Sequence, residues 1–419
     1  MGYSPFMTKH EVKTMDIMEA KELVIRAGKE LVAEGLIART WGNISCRVSD
    51  TQFVITPSGR AYETLTPEEI VLVNIEDLEY EGDIKPSSEK GIHGACYKLR
   101  PETNFVIHTH QINASIISAL GMDINDINED DAKIIGNNVP IAAYGLPGTG
   151  KLRQGVIGAI TRSNSKAAVM AHHGAVCMGE SYDDAFAVAQ ALERVCEEFV
   201  LKKYNNLTGK VADGLSSVNE YFAEKFLTSG DVKEFAPYKS ERDGSVFNMQ
   251  SADGKGDITR IDIDTGDVIA GDENIETAEL HRAVYKKRDD VNYITQTKDP
   301  FTVAVSRLGK KMPSLIDDFA QICGPNVRCA TFNPNSTLKS SKKVVRALRR
   351  RNAVLLKDNG ALCVASDEFD GGAIEFITNK GAKIQVCAKM FDKIDPINPV
   401  ETRIMRFVYL MKYSKQAKK

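Results

Sequence analysis

His93-Gly-Ala-Cys-Tyr-Lys-Leu-Arg-Pro-Glu-Thr-Asn104 lines up with His281-Arg-Ala-Val-Tyr-Lys-Lys-Arg-Asp-Asp-Val-Asn292, with six of 12 positions identical. Further along, Ala167–Cys177 lines up with Ala353–Cys363, and both stretches end in Gly-Ala-x-Cys. The first pair is offset by 188 positions and the second by 186. Two matches at nearly one offset mark a tandem duplication, so reading one copy reads the fold class of both. Ahead of the first block the second copy is shorter. Gly42 to His93 spans 51 positions and Gly244 to His281 spans 37, and the expected loss covers the Thr56-Pro57-Ser58-Gly59 loop. The polar segment Asn205–Ser217 reads as a linker, which puts the boundary near 212 and predicts domains over 1–212 and 213–419.

Outward from these blocks, the first copy alternates helix and strand. Ile17, Ala20, Val24, Ala27 and Leu31 fall on one face of a helix over 15–34, and Gly35 supplies a stop. Strands are predicted at Gly42–Val48, Gln52–Thr56 and Ile70–Asn74, broken by Pro57, Gly59 and Pro67. Pro86-Ser87-Ser88-Glu89 opens a helix to about Leu99, Phe105–His110 is a strand, and Asn113–Leu120 returns to helix. Ala167–Ala171 and Val176–Gly179 are strands around a His-Gly turn, and Ser181–Lys202 is a helix with Ala185, Val188, Leu192, Val195 and Phe199 inward. That alternation predicts an α/β sandwich.

The bulk numbers agree with two such domains. A chain of 419 residues exceeds one ordinary core. A net charge of −3 gives no electrostatic case for nucleic acid or a membrane. The basic runs Lys342–Arg351 and Lys412–Lys419 read as a solvated helix face and a frayed tail. Eight scattered cysteines without CxxC spacing fit free thiols in a reducing cytoplasm. No secretory signal or apolar span is expected, and Phe6 argues against myristoylation of the Met-Gly start.

Duplication provides an internal control. A residue kept in both copies serves the fold, whereas one present only in the first is a candidate for chemistry. Five of the seven histidines lie between 93 and 173. His108-Thr109-His110 sits on a strand, where the two-residue period turns both imidazoles to one face. His172-His173-Gly174 lies in a turn that can bring a third, and three histidines with an open position suit a catalytic zinc. An isolated HxH pair would read as surface histidines. In the second copy, however, His108, His110 and His173 become Gln296, Lys298 and Asn359 together. His93 persists as His281 and reads as a packed core histidine. His172, opposite Asp358, reads as structural or as a support for its neighbour.

The anion signal follows the same rule. Ser87-Ser88-Glu89 at a helix start offers free N–H groups and the helix dipole to a phosphate, although an N-cap alone would look the same. Gly42-Asn43-Ile44-Ser45 and Thr56-Pro57-Ser58-Gly59 are further short polar loops. Ser87, Ser88 and Glu89 align with Ile275, Glu276 and Thr277, so the pocket and the ligands are lost as a set.

These motifs together resemble the class II aldolase/adducin family, closest to its L-fuculose-phosphate aldolase branch. Gly42-Asn43-x-Ser45, Thr56-Pro57-Ser58-Gly59, Pro86-Ser87-Ser88-Glu89, His108-x-His110 and His172-His173-Gly174 occur in the family's order over residues 15 to about 202. The resemblance implies a three-layer α/β/α sandwich and zinc held by His108, His110 and His173. It implies phosphate held by Gly42, Asn43, Ser58, Gly59, Ser87 and Ser88, with Glu89 as acid/base. It also implies a lyase that cleaves a phosphorylated ketose to dihydroxyacetone phosphate and an aldehyde, in a homo-oligomer that is a dimer forming a pseudo-tetrameric ring or a tetramer. One feature departs from the pattern: Ile124–Lys133, where the family's aldolase carries a proton-donating tyrosine, has none. Decarboxylation of a sugar-acid phosphate, dehydration of methylthioribulose phosphate and a non-catalytic adducin-like module are the alternatives.

Overall fold

A computed structural model describes residues 14–37, 41–228 and 234–413. The Met-Gly start lies outside the described residues, as does nearly all of the basic tail. The chain divides into one unit that runs to Phe199 and takes in the chain from Tyr413, and another from Val200 to Lys412.

In the first unit the elements are α1 Ile17–Ala33, β1 Asn43–Arg47, β2 Gln52–Ile55, β3 Val71–Asn74, α2 Lys90–Leu99, β4 Phe105–Thr109, α3 Ile112–Leu120, α4 Glu129–Ile135, β5 Ile141–Ala142, α5 Gly150–Thr161, β6 Ala167–Met170 and β7 Ala175–Gly179, and α6 Tyr182–Thr208 begins in it and runs past the division at Phe199. Asp16 caps α1 by accepting from the Met18 and Glu19 amides at 2.8 and 3.1 Å. Ala20, Val24, Ala27 and Leu31 are buried as the periodicity requires. Ile17, in the first turn, is instead 41% exposed.

The seven strands order as β3-β2-β1-β4-β7-β6-β5, antiparallel except at β5–β6. One face carries Phe53, Ile55, Val106, Met170 and Val176, packed on Ile92, Cys96 and Tyr97 of α2 and on Leu152 and Val156 of α5. His108 shares the parity of Val106 and so points toward the start of α2.

The second unit repeats this plan with α7 Gly214–Phe226, β8 Tyr238–Asp243, β9 Val246–Ser251, β10 Thr259–Asp262, β11 Val268–Ala270, α8 Ala278–Tyr285, β12 Tyr293–Thr297, α9 Pro300–Arg307, β13 Met312–Pro313, α10 Asp317–Cys323, β14 Asn326–Ala330, α11 Thr337–Leu348, β15 Ala353–Leu356, β16 Ala361–Ala365, α12 Glu368–Met390 and α13 Pro399–Val408. Its sheet, β11-β10-β9-β8-β12-β16-β15-β14-β13, contains the first order with a strand added at each edge. The register is shared: His108 faces Val176 and Gln296 faces Leu362. An α/β domain duplicated in tandem is therefore what the chain builds.

Side chains kept in both copies show what the fold needs. Ser45 Oγ lies 2.6 Å from both His93 Nδ1 and the Tyr97 hydroxyl, and Ser240 Oγ lies 2.7 and 2.8 Å from His281 and Tyr285. Arg47 donates to the Tyr97 carbonyl at 2.8 Å and Arg242 to that of Tyr285 at 2.7 Å. Phe53 and Phe247 pack on the two tyrosines at 5.3 and 5.2 Å. A Cβ on Gly174 or Gly360 would lie 2.2 or 2.0 Å from the carbonyl oxygen of Thr109 or Thr297, so both turns must pass as glycine.

Two expectations are corrected. The superposed serines place Tyr238 opposite Asn43, so Gly244 is not the counterpart of Gly42. It turns the β8–β9 hairpin with φ 62°. The loss ahead of the second copy's conserved histidine is accordingly smaller than the Gly42–Gly244 pairing gave, and it still shortens the β2–β3 loop that holds Ser58. The segment 205–217 is also mostly helical. Tyr204 is buried edge-on against Tyr221 at 6.2 Å, which carries α6 past its polar Asn205 and Asn206. Only 209–213 separates α6 from α7.

Candidate active site

Four elements of the first unit converge on one buried point. β4 carries His108, the chain leaving it carries His110, the β6–β7 turn carries His173, and Glu89 caps the start of α2. Their burial is almost complete, with exposures of 1%, 8%, 3% and 7%. One imidazole nitrogen from each histidine lies within 4.8 Å of the other two. The Glu89 carboxylate reaches His173 Nε2 at 3.0 Å and His108 Nε2 at 3.2 Å.

The tautomer of His108 follows from its partners. Nδ1 is 2.8 Å from the Ala175 carbonyl, which can only accept, so Nδ1 carries the proton. The Nε2 lone pair then faces the cluster, 3.0 Å from His110 Nε2. Imidazole lone pairs and a carboxylate turned inward at these distances fit a divalent cation as their common partner. Burial holds His108 well below the usual histidine range. Burial alone would raise Glu89, but His173 and His108, with the Asn43 hydrogen bond, hold it well below the usual carboxylate range.

His172 has φ 58°, and its ring meets Tyr144 edge-on at 5.4 Å, away from the cluster. The HHG stretch is thus a left-handed turn that aims one imidazole inward and the other at an aromatic. Tyr144 stands alone in the loop between β5 and α5, where no sequence period marks it.

The polar loops lie against one another. The Ser58 amide donates to the Lys85 carbonyl and the Ser87 amide to that of Thr56, each at 3.0 Å. Thr56 Oγ1 accepts from the Ile44 amide at 3.2 Å. Gly42, with φ 109°, has no room for a Cβ, which would lie 2.5 Å from the His108 carbonyl. Gly59 is likewise at positive φ, 73°. Ser88 is exposed on a cavity of about 160 Å³ that it shares with Glu89, Gly148, Thr149 and Arg153. The loops holding Gly42, Asn43, Ser58, Gly59, Ser87 and Ser88 thus form one rim beside the histidines.

The Asn43 side chain has a use that the motif did not reveal. Its Nδ2 donates to Glu89 Oε2 at 3.1 Å, and its Oδ1 accepts from His93 Nε2 at 2.5 Å. His93 Nδ1 then accepts from Ser45. A directed chain therefore runs from the core through Ser45, His93 and Asn43 to Glu89. In the second unit the chain stops early: Tyr238 replaces Asn43, Thr277 replaces Glu89, and His281 Nε2 has no hydrogen-bond partner among the described residues.

The second unit's counterpart of the histidine cluster is filled. Asn359 Oδ1 accepts from the Phe235 amide at 3.2 Å, and Gln296 Oε1 accepts from the Tyr238 amide at 2.8 Å. Phe235 is buried against Phe332 at 5.2 Å, with Lys298 Nζ 5.8 Å from its ring centroid. An aromatic side chain and backbone amides stand where the first unit has its histidine cluster.

Both copies carry an acid-sensitive core histidine. Burial lowers His93 and His281 to about 3 from 6.5. Between those values the unfolded chain binds a proton that the folded one refuses, so stability is full above about pH 6.5 and falls as pH drops toward 3. The loss should be on the order of a few kcal/mol per histidine. Urea midpoints measured from pH 7 to 4 should decline across that window, and His281→Gln should flatten part of the decline.

An α/β domain with a buried three-histidine cluster beside a polar rim defines a class, and comparison with known proteins agrees. A family described as Class II Aldolase and Adducin N-terminal domain matches residues 22–200 and 247–370. The chain belongs to that family, twice over. It is 35% identical over 186 residues to a 5-methylthioribulose-1-phosphate/5-deoxyribulose-1-phosphate aldolase of Escherichia coli O45:K1 (strain S88 / ExPEC), covering 44% of this chain and 85% of that one. It is 34% identical over 171 residues to an L-fuculose phosphate aldolase of Escherichia coli (strain K12), covering 41% and 78%. A solved L-fuculose 1-phosphate aldolase aligns with 28% identity and a TM-score of 0.43, covering 50% of this chain and 96% of its own. The enzyme class is that of the metal-dependent lyases. Among the described residues no helix is long and apolar enough to cross a membrane.

Proposed function

We propose that residues 1–212 form a catalytic domain that cleaves a ketose 1-phosphate to dihydroxyacetone phosphate and an aldehyde, and that 213–419 form a metal-free domain of the same fold. The observation that carries this reading is the Glu89 carboxylate lying 3.0 and 3.2 Å from two members of the histidine cluster. It puts a proton-transfer group at the only place where ligand nitrogens converge among the described residues. His108, His110 and His173 would hold a divalent metal, zinc by the donor set, and its charge stabilises the negative oxygen that develops on the ketone fragment.

This chain's own residues do the rest. The Gly42–Asn43, Ser58–Gly59 and Ser87–Ser88 rim takes the phosphate through amides and hydroxyls and so fixes the sugar's orientation. Glu89 removes the proton from the hydroxyl whose carbon–carbon bond breaks and returns it to the carbon of the ketone fragment. Asn43, steadied by His93, aims the carboxylate. The relatives named for 5-methylthioribulose, 5-deoxyribulose and L-fuculose phosphates support a 1-phosphorylated ketose. Zinc-loaded full chain incubated with these three compounds should release dihydroxyacetone phosphate, detected by coupled reduction. Carbon dioxide or water as the only small product would replace the aldolase reading with decarboxylation or dehydration.

Assembly is proposed as a homo-oligomer in the cytoplasm. Light scattering should give about 92 kDa for two chains of 46.1 kDa or about 184 kDa for four. A fully active 46.1 kDa species would remove the proposal.

A further inference from the structure

The second unit lacks the histidine cluster, and at another place it carries added positive charge. A cavity of about 480 Å³ lies between β14, α11 and the turn at Gly309, lined by Lys311, Arg328, Cys329, Thr331, Lys343 and Arg346 among others. No carboxylate lines it. None of the four cations has an ion-pair partner among the described residues.

The repeat supplies the control. Gly121 and Gly309 end matching helices with φ 59° and 64°. Ile141 pairs with Val169 as Cys329 pairs with Leu355, which fixes the register of this edge. Buried Val156 and Ile160 of α5 match buried Val344 and Leu348 of α11. Lys311, Arg328, Lys343 and Arg346 therefore stand where the first unit has Asp123, Pro140, Gly155 and Gly158. Each change adds positive charge. In the first unit the helix lies tight on the strand: a Cβ on Gly155 would be 2.3 Å from the Ala143 carbonyl oxygen. A lysine at that position cannot be accommodated so closely, and in the second unit there is a cavity instead.

Four like charges around one concave space repel unless an anion joins them. Neighbouring Arg351 registers this, lowered first by burial and then by the charges of Arg328 and Arg349. We propose that this cavity binds a small molecule carrying a diphosphate. Two guanidinium forks and two ammonium groups match the three to four negative charges of such a group in number and geometry. The volume falls in the range of small-ligand pockets, about 300–1,000 Å³. A concave site on a chain of net charge −3 suits a compact anion better than a nucleic-acid strand, which needs a long basic track. The run Lys342–Arg351, a solvated helix face by sequence, is on this view partly a ligand wall. The inference does not depend on the aldolase reading.

Calorimetric titration of the zinc-loaded full chain in about 50 mM salt, with inorganic pyrophosphate and separately with ADP, tests it. Saturable binding at one site per chain is expected. Equal affinity assigns the inorganic group and tighter ADP binding assigns a nucleotide. The double variant Arg328→Gln, Arg346→Gln should weaken binding about 30-fold or more. Arg350→Gln, outside the cavity lining, should leave it unchanged. Ser88→Asp should also bind normally, since it alters only the first unit's rim. Cys329 is partly exposed while the other seven cysteines are buried, so its alkylation should slow when pyrophosphate is present, a readout that needs no variant. The proposal is overturned by absence of saturable binding, by undiminished binding in a folded double variant, by an unprotected Cys329, or by affinity confined to a single-stranded oligonucleotide.

Discussion

Glu89→Gln is expected to lower turnover roughly 10²–10⁴-fold with about one zinc per chain retained. The substitution keeps size and leaves the three imidazoles, so the metal should stay. It removes the carboxylate that lies against His108 and His173. The amide can still meet Asn43, but it cannot take a proton from a hydroxyl and deliver it to carbon. The effect should therefore appear in kcat, with KM little changed, because the substitution leaves the proposed phosphate rim intact. Steady-state kinetics with elemental analysis of the same sample checks both halves. Wild-type turnover would remove Glu89 from the mechanism, and loss of zinc along with turnover would make the carboxylate a ligand in its own right.

His108→Asn should have the larger effect. It removes one of three clustered, buried imidazoles, and it severs the Ala175 hydrogen bond that sets the tautomer. Zinc content should fall close to zero after dialysis, with activity at least about 10³-fold down, as expected when Lewis-acid stabilisation is lost. His93→Asn is the matched control. It should keep its zinc, lose stability through the buried hole, and lose some turnover because Asn43 is no longer held. His281→Asn makes the same hole in the second copy and should cost similar stability with no change in kcat. If His93→Asn and His281→Asn behaved alike in kcat, the chain from Ser45 to Glu89 would have no part in positioning the carboxylate.

Much of this was legible in one dimension because the chain carries its own comparison. The HxH period on a strand, the HHG turn and their joint disappearance as Gln296, Lys298 and Asn359 single out, without any structure, the three histidines that cluster in space. His93 was separable from them because it survives as His281. The helices with clear apolar faces were equally plain. Less visible were the short or polar elements, β5 and α4 among them, whose few residues give no period to read. The polar end of α6 was hidden in the same way, since Tyr204 holds it by a contact with Tyr221 that sequence cannot display. Gly244 misled because one glycine in a turn looks like another, and only strand register showed that Ser45 and Ser240 are the true pair.

The sequence by itself determined the duplication, the α/β class, the identity of the residues lost from the second copy and hence the histidines worth testing. These are properties of pattern and repetition, carried by residues near one another or at a constant offset. Tertiary structure alone decided that Glu89, a helix cap 19 residues before His108, lies against His108 and His173, and that Asn43 is bound between His93 and that carboxylate. It alone showed that Phe235 fills the second copy's vacated site and that four scattered cations line one cavity. Each of these depends on side chains from different elements meeting in space, and no local preference of the chain encodes which ends of which strands will face the same point.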